Sequence, residues 1–449
     1  MKVTAVQNDT KHILIVGGGY VGLYTALRLQ RKLRKELRRG SVKITIIDPQ
    51  SYMTYQPFLP EAAAGNISPR HVVVPLRTVL PKVEILTGRV TRIDHGKRKV
   101  MFKPVAGDLR QIDYDTVVVA AGSISRLLPV PGLAENGTGF KTIGEAISLR
   151  NHVISQLDIA ESTDDPEIRR KALTFVVVGA GFAGVEALGE MEDMAEYSTR
   201  YYPGIDRTDM RWILVEATDR ILPEVGPEMG RWTVESLRSR NIEVKLETRL
   251  ESADKGHIVL SDGEEFEAGT LVWTAGVKAN PVVRHGSLPV DDRGRVKATE
   301  FLTVHGVADA FTAGDVAAVP DLTNPGEFCA PNAQHAVRQA KVLADNLVRR
   351  MRGKPLKAYE HKYAGSVASL GLHKGVANVY GVKLRGVAAW FMHRTYHLSK
   401  VPTLNRKVRV MADWTLALFF RRDIVSLGEL QHPREEFKLA ARSDNAHAA

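Results

Sequence analysis

The chain has 449 residues, too long for one ordinary core and suited to two or three domains. Its 44% apolar and 25% charged residues are those of a soluble globular protein, and no run approaches the roughly 18 apolar residues of a membrane-spanning helix. The net charge of +11 is uneven: between Arg350 and Arg422 fifteen Lys and Arg stand against two acids, Glu360 and Asp413, so the rest of the chain is close to neutral and the tail suits an anionic partner.

At the N-terminus, Met1 to His12 is polar and lacks the apolar centre of a secretory signal, so no signal peptide is expected. His12-Ile13-Leu14-Ile15-Val16 predicts a buried strand, Gly17-Gly18-Gly19-Tyr20-Val21-Gly22 a glycine turn, Leu23 to Leu37 a helix, and Lys43 to Ile47 a second strand ending in Asp48. Each part has a task in holding a dinucleotide. Gly17 permits the tight turn, Gly19 lets backbone approach a pyrophosphate, and Gly22 lets the helix pack on the strand. The helix N-terminus offers unpaired N–H groups to the phosphates, and Asp48 accepts from a ribose. Alone, such a turn often serves only packing.

The unit returns at Leu173 to Val178. Gly179-Ala180-Gly181-Phe182-Ala183-Gly184 is the turn, Val185-Glu186 opens the helix, and the strand Arg211 to Val215 ends in Glu216. A chance glycine turn does not bring its strand, helix and acid along twice, so two dinucleotides are expected. A carboxylate at Glu216 favours the two ribose hydroxyls of NADH and repels the extra phosphate of NADPH, although Arg220 stands nearby.

Strands at Thr116 to Ala121 and Thr270 to Ala275 end in Gly122 and Gly276, small enough for the chain to pass close to bound nucleotide. A third, Val307 to Ala313, ends in Gly314-Asp315, with Asp315 placed for a ribityl hydroxyl; the plain alternative is a turn aspartate. Asn332 is a candidate N-cap for a helix from Ala333 to about Arg350, whose N-terminus suits negative charge on a reduced flavin. In the tail, Val387 to Met392 and Val408 to Phe420 are apolar, aromatic helices with basic edges. Trp390, Phe391, Trp414, Leu418 and Phe419 are expected at a bilayer interface.

These motifs resemble the type II NADH dehydrogenases, single-chain NADH:quinone oxidoreductases. The resemblance rests on Gly17 to Gly22, Gly179 to Glu186, Val215-Glu216-Ala217, Thr312 to Asp315 and Ala333-Gln334-His335-Ala336, and covers nearly the whole chain. It implies an α/β organisation of two Rossmann-like dinucleotide-binding domains, of the FAD/NAD-linked, glutathione-reductase-like type, with a C-terminal membrane-associating tail. The expected parts are an FAD domain in two halves, 12–150 and 281–351, an NADH domain at 171–280 and a tail at 352–449. The resemblance further implies non-covalent FAD in the first site and NADH in the second, with electrons passing to a quinone and no proton pumping. Attachment would be peripheral, on the cytoplasmic face of an anionic membrane, and a homodimer is allowed. Glu186 would lie near the flavin and nicotinamide, and Gln334 would line the quinone pocket. One departure is local: where relatives often carry two glutamines after the Ala-Gln-x-Ala, Arg338 precedes the single Gln339.

The lone Cys329 excludes the paired-cysteine chemistry of a disulfide or sulfide:quinone reductase and fits a reducing compartment. A soluble FAD-dependent NADH reductase of another small acceptor or redox protein is the competing reading. No metal site and no nucleic-acid module is evident.

Overall fold

The computed structural model describes residues 10–361 and 365–427. The elements that carry the argument, in chain order, are β1 (Lys11–Val16), α1 (Tyr20–Lys32), β2 (Val42–Asp48), β3 (Thr116–Val119), β4 (Thr174–Val178), α2 (Phe182–Ser198), β5 (Arg211–Val215), β6 (Thr270–Trp273), β7 (Ala310–Thr312), α3 (Ala333–Met351), β8 (Gly365–Ser369), β9 (Gly375–Val379), β10 (Val382–Arg385), α4 (Gly386–Lys400) and α5 (Leu404–Phe419). They divide between two compact units. One holds residues 10–54, 73–126 and 276–361; the other holds 55–72, 127–275 and 365–427.

The first unit is built on a seven-stranded sheet in which β7, β3, β1 and β2 are successive parallel neighbours. Parallel strands are covered on both faces, which is why β1 reads as an unbroken apolar run. Leu14, Val16, Ile47, Val117, Val119 and Ala310 are all buried in one cluster. The expected helix over Leu23–Leu37 is two helices: α1 ends at Lys32 and a second begins at Arg34. Leu33 between them departs from α-helical geometry, with φ −105° and ψ 25°, and is fully buried.

The second unit repeats the plan as a five-stranded, all-parallel sheet in which β6, β4 and β5 are neighbours. Val176, Val178, Ile213, Val215, Leu271 and Trp273 form its core. The tail belongs to this unit. Strands β8, β9 and β10 form an antiparallel sheet and α4 packs on β8 and β9. The approach is close enough that a Cβ on Gly375 would lie 2.6 Å from the Trp390 nitrogen.

A buried ion knot fixes the turn between β8 and β9. Asp193 of α2 accepts from the Leu372 backbone N–H and from Lys374 Nζ, the latter at 2.6 Å. Arg240 donates to Glu192, to Asp193 Oδ1 at 3.2 Å and to the Leu370 carbonyl. Glu192, Asp193 and Glu196 approach one another closely enough to suggest a cation site. Arg240, Lys374 and Arg207 already neutralise them.

Two tail residues correct the expectation of lipid-facing aromatics. Trp414 donates through Nε1 to Glu61 Oε2 at 2.8 Å and packs edge-on against Phe58. Trp390 lies half-buried beneath the Arg394 guanidinium, 4.1 Å from its ring centroid. The polar end of Trp414 is thus turned to a buried acid, while Trp390 is covered on one ring face by a cation. Phe391, Leu418 and Phe419 remain exposed as expected, at 62%, 76% and 78%. Among the described residues no helix is long and apolar enough to cross a membrane.

Candidate functional site

The glycine turn of the first unit has its shape dictated by sterics. Gly17 has φ +105°, and a Cβ there would lie 2.3 Å from the Ala120 carbonyl oxygen; one on Gly22 would lie 1.8 Å from the Gly17 oxygen. No side chain fits at either position. At Gly19, by contrast, an added Cβ meets nothing within 4 Å, leaving open space before the first N–H groups of α1. Gly19 caps α1 without any side-chain hydrogen bond, so those donors are left for an external acceptor. Asp48 braces the turn, accepting from Gly18 N at 2.6 Å and from Gln50 N at 2.7 Å. Burial pushes its carboxyl upward, opposed by those two backbone donors.

In the same unit, Gly122 and Gly314 both adopt positive φ. Asp315 follows Gly314 and accepts from Ser123 Oγ at 2.6 Å. The Gly314 N–H donates to Gln339 Oε1 at 2.7 Å, tying the strand end to α3. Asn332 caps α3 as expected, accepting from His335 N at 2.8 Å. Gln334, in the first turn of α3, is half-buried.

The second unit reproduces the turn. Gly179 has φ +102°, a Cβ on it would lie 2.7 Å from Ala275 N, and a Cβ on Gly184 would lie 1.9 Å from the Gly179 oxygen. Gly181 again has nothing within 4 Å. Glu216 takes the place of Asp48: Oε2 accepts from Ala180 N at 2.8 Å, while Oε1 accepts from the N–H and Oγ1 of Thr218, both at 2.9 Å. Oε2, with one donor, retains a lone pair. Gly276, with φ +92°, belongs to the first unit, where the ribbon of residues 123–125 and 277–279 begins.

Glu186 lies in α2 and is 7% exposed. It accepts from Ser369 N at 3.0 Å, and His393 Nε2 of α4 stands 3.1 Å from its Oε1 as an ion-pair partner. Around this pair the second unit buries more charge. Glu61 pairs with Arg394 at 2.7 Å; Glu190 accepts from Asn66 and Ser369 at 3.0 and 2.9 Å. Burial, with Glu61 and Asp193 adding to it, pushes the Glu190 carboxyl up to about 7. Burial draws the His393 imidazole down, but Glu186, backed by Glu61 and Glu190, more than reverses this and leaves it raised. His397, one turn on, is held well below its ordinary range by desolvation and by the His393 charge. Tyr55 OH lies 3.1 Å from its Nδ1.

Sequence reasoning singled out Glu186 but missed His393, His397, Glu61, Glu190 and Tyr55. A signal existed. Glu186, Glu190 and Asp193 are spaced four and three apart, an acidic stripe on one helical face, and His393 and His397 repeat at four in the basic tail.

Two parallel-sheet folds, each closed by a glycine turn braced by a terminal carboxylate, define a two-dinucleotide oxidoreductase. Residues 11–340 match the pyridine nucleotide-disulphide oxidoreductase family, and residues 363–423 match the NDH2 C-terminal domain. The chain belongs to the type II NADH:quinone oxidoreductase family. It is 31% identical over 434 residues to the Mycobacterium tuberculosis type II NADH:quinone oxidoreductase Ndh, covering 93% of this chain and 90% of that one. It is also 31% identical over 399 residues to a Staphylococcus aureus type II NADH:quinone oxidoreductase, covering 87% and 94%. Its fold matches that of NDH2 from Plasmodium falciparum, solved with NADH, with a TM-score of 0.84 over 93% of this chain and all of that one at 18% identity. The sulfide:quinone oxidoreductase of Aquifex aeolicus shares the fold at 0.68 and 18% identity, covering 92% and 96%.

The buried pair makes a pH-dependent prediction. His393→Gln leaves Glu186 without its cation and is expected to lower the unfolding free energy by about 3 kcal/mol. A raised folded-state pKa contributes stability that is complete below the ordinary imidazole value of 6.5 and lost as pH rises through the raised value. The gap between native protein and variant should therefore be wide at pH 6 and narrow by pH 9. Urea denaturation at both pH values measures it; an equal gap at both means that the pair carries no charge.

Proposed function

We propose that the chain is a FAD-dependent NADH:quinone oxidoreductase that does not pump protons. The observation that carries the reading is the twin turn, Gly17-Gly19-Gly22 braced by Asp48 and Gly179-Gly181-Gly184 braced by Glu216. At each, backbone fills the space a side chain would need and leaves the third position open for a diphosphate. The first turn would hold FAD, which when bound would supply the acceptor for the NADH hydride and the relay of two electrons onward. The net reaction converts NADH, a proton and a quinone into NAD+ and a quinol.

The residues take distinct parts. The N–H groups at the start of α1 bind the FAD diphosphate, Asp48 its ribose and Asp315 its ribityl chain. Gly122, Gly276 and Gly314 keep the strand ends clear of it. Glu216 selects NADH, and Glu186 stands beside the nicotinamide. Gln334 meets the quinone, where the α3 N-terminus favours developing negative charge.

The decisive test uses the purified protein. It should be yellow through non-covalent FAD, bleach with NADH under anaerobic conditions, and recolour when a short-chain quinone is added. Bleaching without recolouring would favour a soluble reductase of another acceptor.

Nucleotide choice gives a second test. Glu216→Ala should weaken NADH binding by roughly 10- to 150-fold, the scale of a lost charged acceptor at about 1.5–3 kcal/mol, and erase the preference over NADPH. Steady-state kinetics with both nucleotides measures it. Equal efficiency in the native enzyme would remove Glu216 from the ribose.

We further propose peripheral attachment to the cytoplasmic face of the membrane through the tail. Its support is the stripe Leu404, Val408, Met411, Leu418 and Phe419, which repeats at helical spacing on α5 and is 51–78% exposed. Insertion of each is worth about 1–3 kcal/mol. Deleting the tail is a poor test, because it strips Glu61 and Glu186 of Arg394 and His393. The triple variant Phe391→Ser, Leu418→Ser, Phe419→Ser touches only exposed side chains. It should melt like the native protein yet lose co-sedimentation with anionic liposomes; undiminished binding would place the contact elsewhere.

A further inference from the structure

Leu222 stands in a conformation that a leucine seldom adopts. Its φ of 45° and ψ of 58° are left-handed, where a Cβ crowds the backbone, and Pro223 after it favours an extended residue at this position. The side chain is fully buried, as are those of Ile221 and Val225. An outlier of this kind persists only where its surroundings hold it. Leu222 N donates to the Ala180 carbonyl at 2.9 Å, and the Leu222 carbonyl accepts from Val225 N at 3.0 Å. Ala180 N donates to Glu216 Oε2 at 2.8 Å. The loop after β5 therefore pins two successive peptides of the glycine turn, one from Glu216 and one from Leu222. The tail sheet holds that loop as well. Asn378 Nδ2 of β9 donates to the Val225 carbonyl at 3.0 Å, and Ser366 Oγ of β8 to the Glu224 carbonyl at 3.3 Å. The first turn has only half of this arrangement: Gly18 N donates to Asp48, but among the described residues no backbone N–H reaches the Gly18 carbonyl.

We propose that Leu222 is a positioning residue for the diphosphate of NADH, held in place by Asn378 of the tail. A peptide unit is planar, so fixing the Ala180 carbonyl also fixes the direction of the Gly181 N–H. With the preceding peptide pinned by Glu216, the start of α2, which has no side-chain cap, is set before a ligand arrives. A resident cofactor can hold the first turn in shape. The second turn empties whenever a nucleotide leaves, so its shape has to come from the protein, and a preset turn saves the ordering that binding would otherwise require. Leu222 is where the chain turns from Ala180 into the loop held by Asn378 and Ser366, so its backbone conformation matters more than its side chain. The inference rests on the reading that the second turn takes NADH.

The experiment uses the FAD-loaded enzyme and the variants L222A, L222G, N378A and G181V. One readout is calorimetric binding of ADP-ribose, which carries the diphosphate without the nicotinamide; the other is the KM for NADH beside kcat. L222A should weaken ADP-ribose binding and raise the KM for NADH by about tenfold while kcat at saturating NADH is kept, the pattern of lost uniform binding. L222G should lose only about threefold, because glycine takes the left-handed conformation without strain. A packing role would give the opposite order, since glycine leaves the larger void. N378A leaves Leu222 in place and should raise the KM by about threefold, on the scale of one neutral hydrogen bond. If L222A binds ADP-ribose as the native enzyme does, or L222G is the weaker binder of the two, the positioning role is refuted. If the Leu222 variants behave as expected and N378A has no effect, the share of the tail is refuted. If neither Leu222 variant folds, N378A decides alone, and an unchanged ADP-ribose affinity refutes the inference. Gly181 has φ −75° and open space around an added Cβ, so G181V keeps the fold and fills the place of the diphosphate. If G181V still binds ADP-ribose, the second turn does not take the nucleotide, and the reading beneath the inference fails with it.

Discussion

Carboxylates buried on one face of α2 are the constraint on which the second unit depends. Glu186, Glu190 and Asp193 follow one another up the helix and none is more than 8% exposed. A buried carboxylate without a partner costs several kcal/mol, so this face has to be met by cations and donors. The sheet of parallel strands beneath it is apolar and supplies none. Most partners come from the tail: His393 for Glu186, Ser369 for Glu186 and Glu190, and Lys374 with the Leu372 N–H for Asp193; Asn66 adds to Glu190 and Arg240 to Asp193. Segment 55–72 joins through Glu61, whose Oε2 accepts from both Arg394 and Trp414. The tail therefore completes the polar interior of the unit.

That dependence changes how the basic surplus of the tail is read. Counted in sequence, its fifteen cations suggest an electrostatic plate facing an anionic surface. In the fold, Arg394 and Lys374 turn inward to buried acids, and Lys383 and Arg385 pair with Glu228. Arg422 reaches Asn66, and Arg406 the Arg70 carbonyl. What faces outward on α5 is chiefly the apolar stripe. Charge in the tail serves the interior first, and the apolar side chains of Phe391, Leu418 and Phe419 are left exposed.

The sequence made the twin nucleotide folds legible because their requirements are local. Gly17 and Gly179 must take positive φ, Gly22 and Gly184 leave no room for a Cβ, and each following strand must end in an acid able to reach the turn. All of this fits within one strand–turn–helix–strand unit, so spacing alone encodes it. The Asn332 cap and the Gly314–Asp315 turn are local in the same sense. The network around Glu186 is not. His393 is more than two hundred residues from Glu186, and nothing in the spacing of either names the other. The inward turn of Trp414 and the arginine over Trp390 were illegible for a like reason. An aromatic stripe beside basic residues is the same string of letters whether it faces lipid or stacks under an arginine.

In each glycine turn the terminal acid braces the loop. Asp48 and Glu216 each spend lone pairs on backbone N–H groups of their own turn and of the following loop. Those bonds hold the carboxylate in one rotamer and the glycine turn in one conformation. A carboxylate held in this way is a preset acceptor, so any donor it meets would order little on binding. Burial raises the Asp48 carboxyl and its backbone donors oppose that rise, so the bonds that shape the turn also favour the charged acceptor.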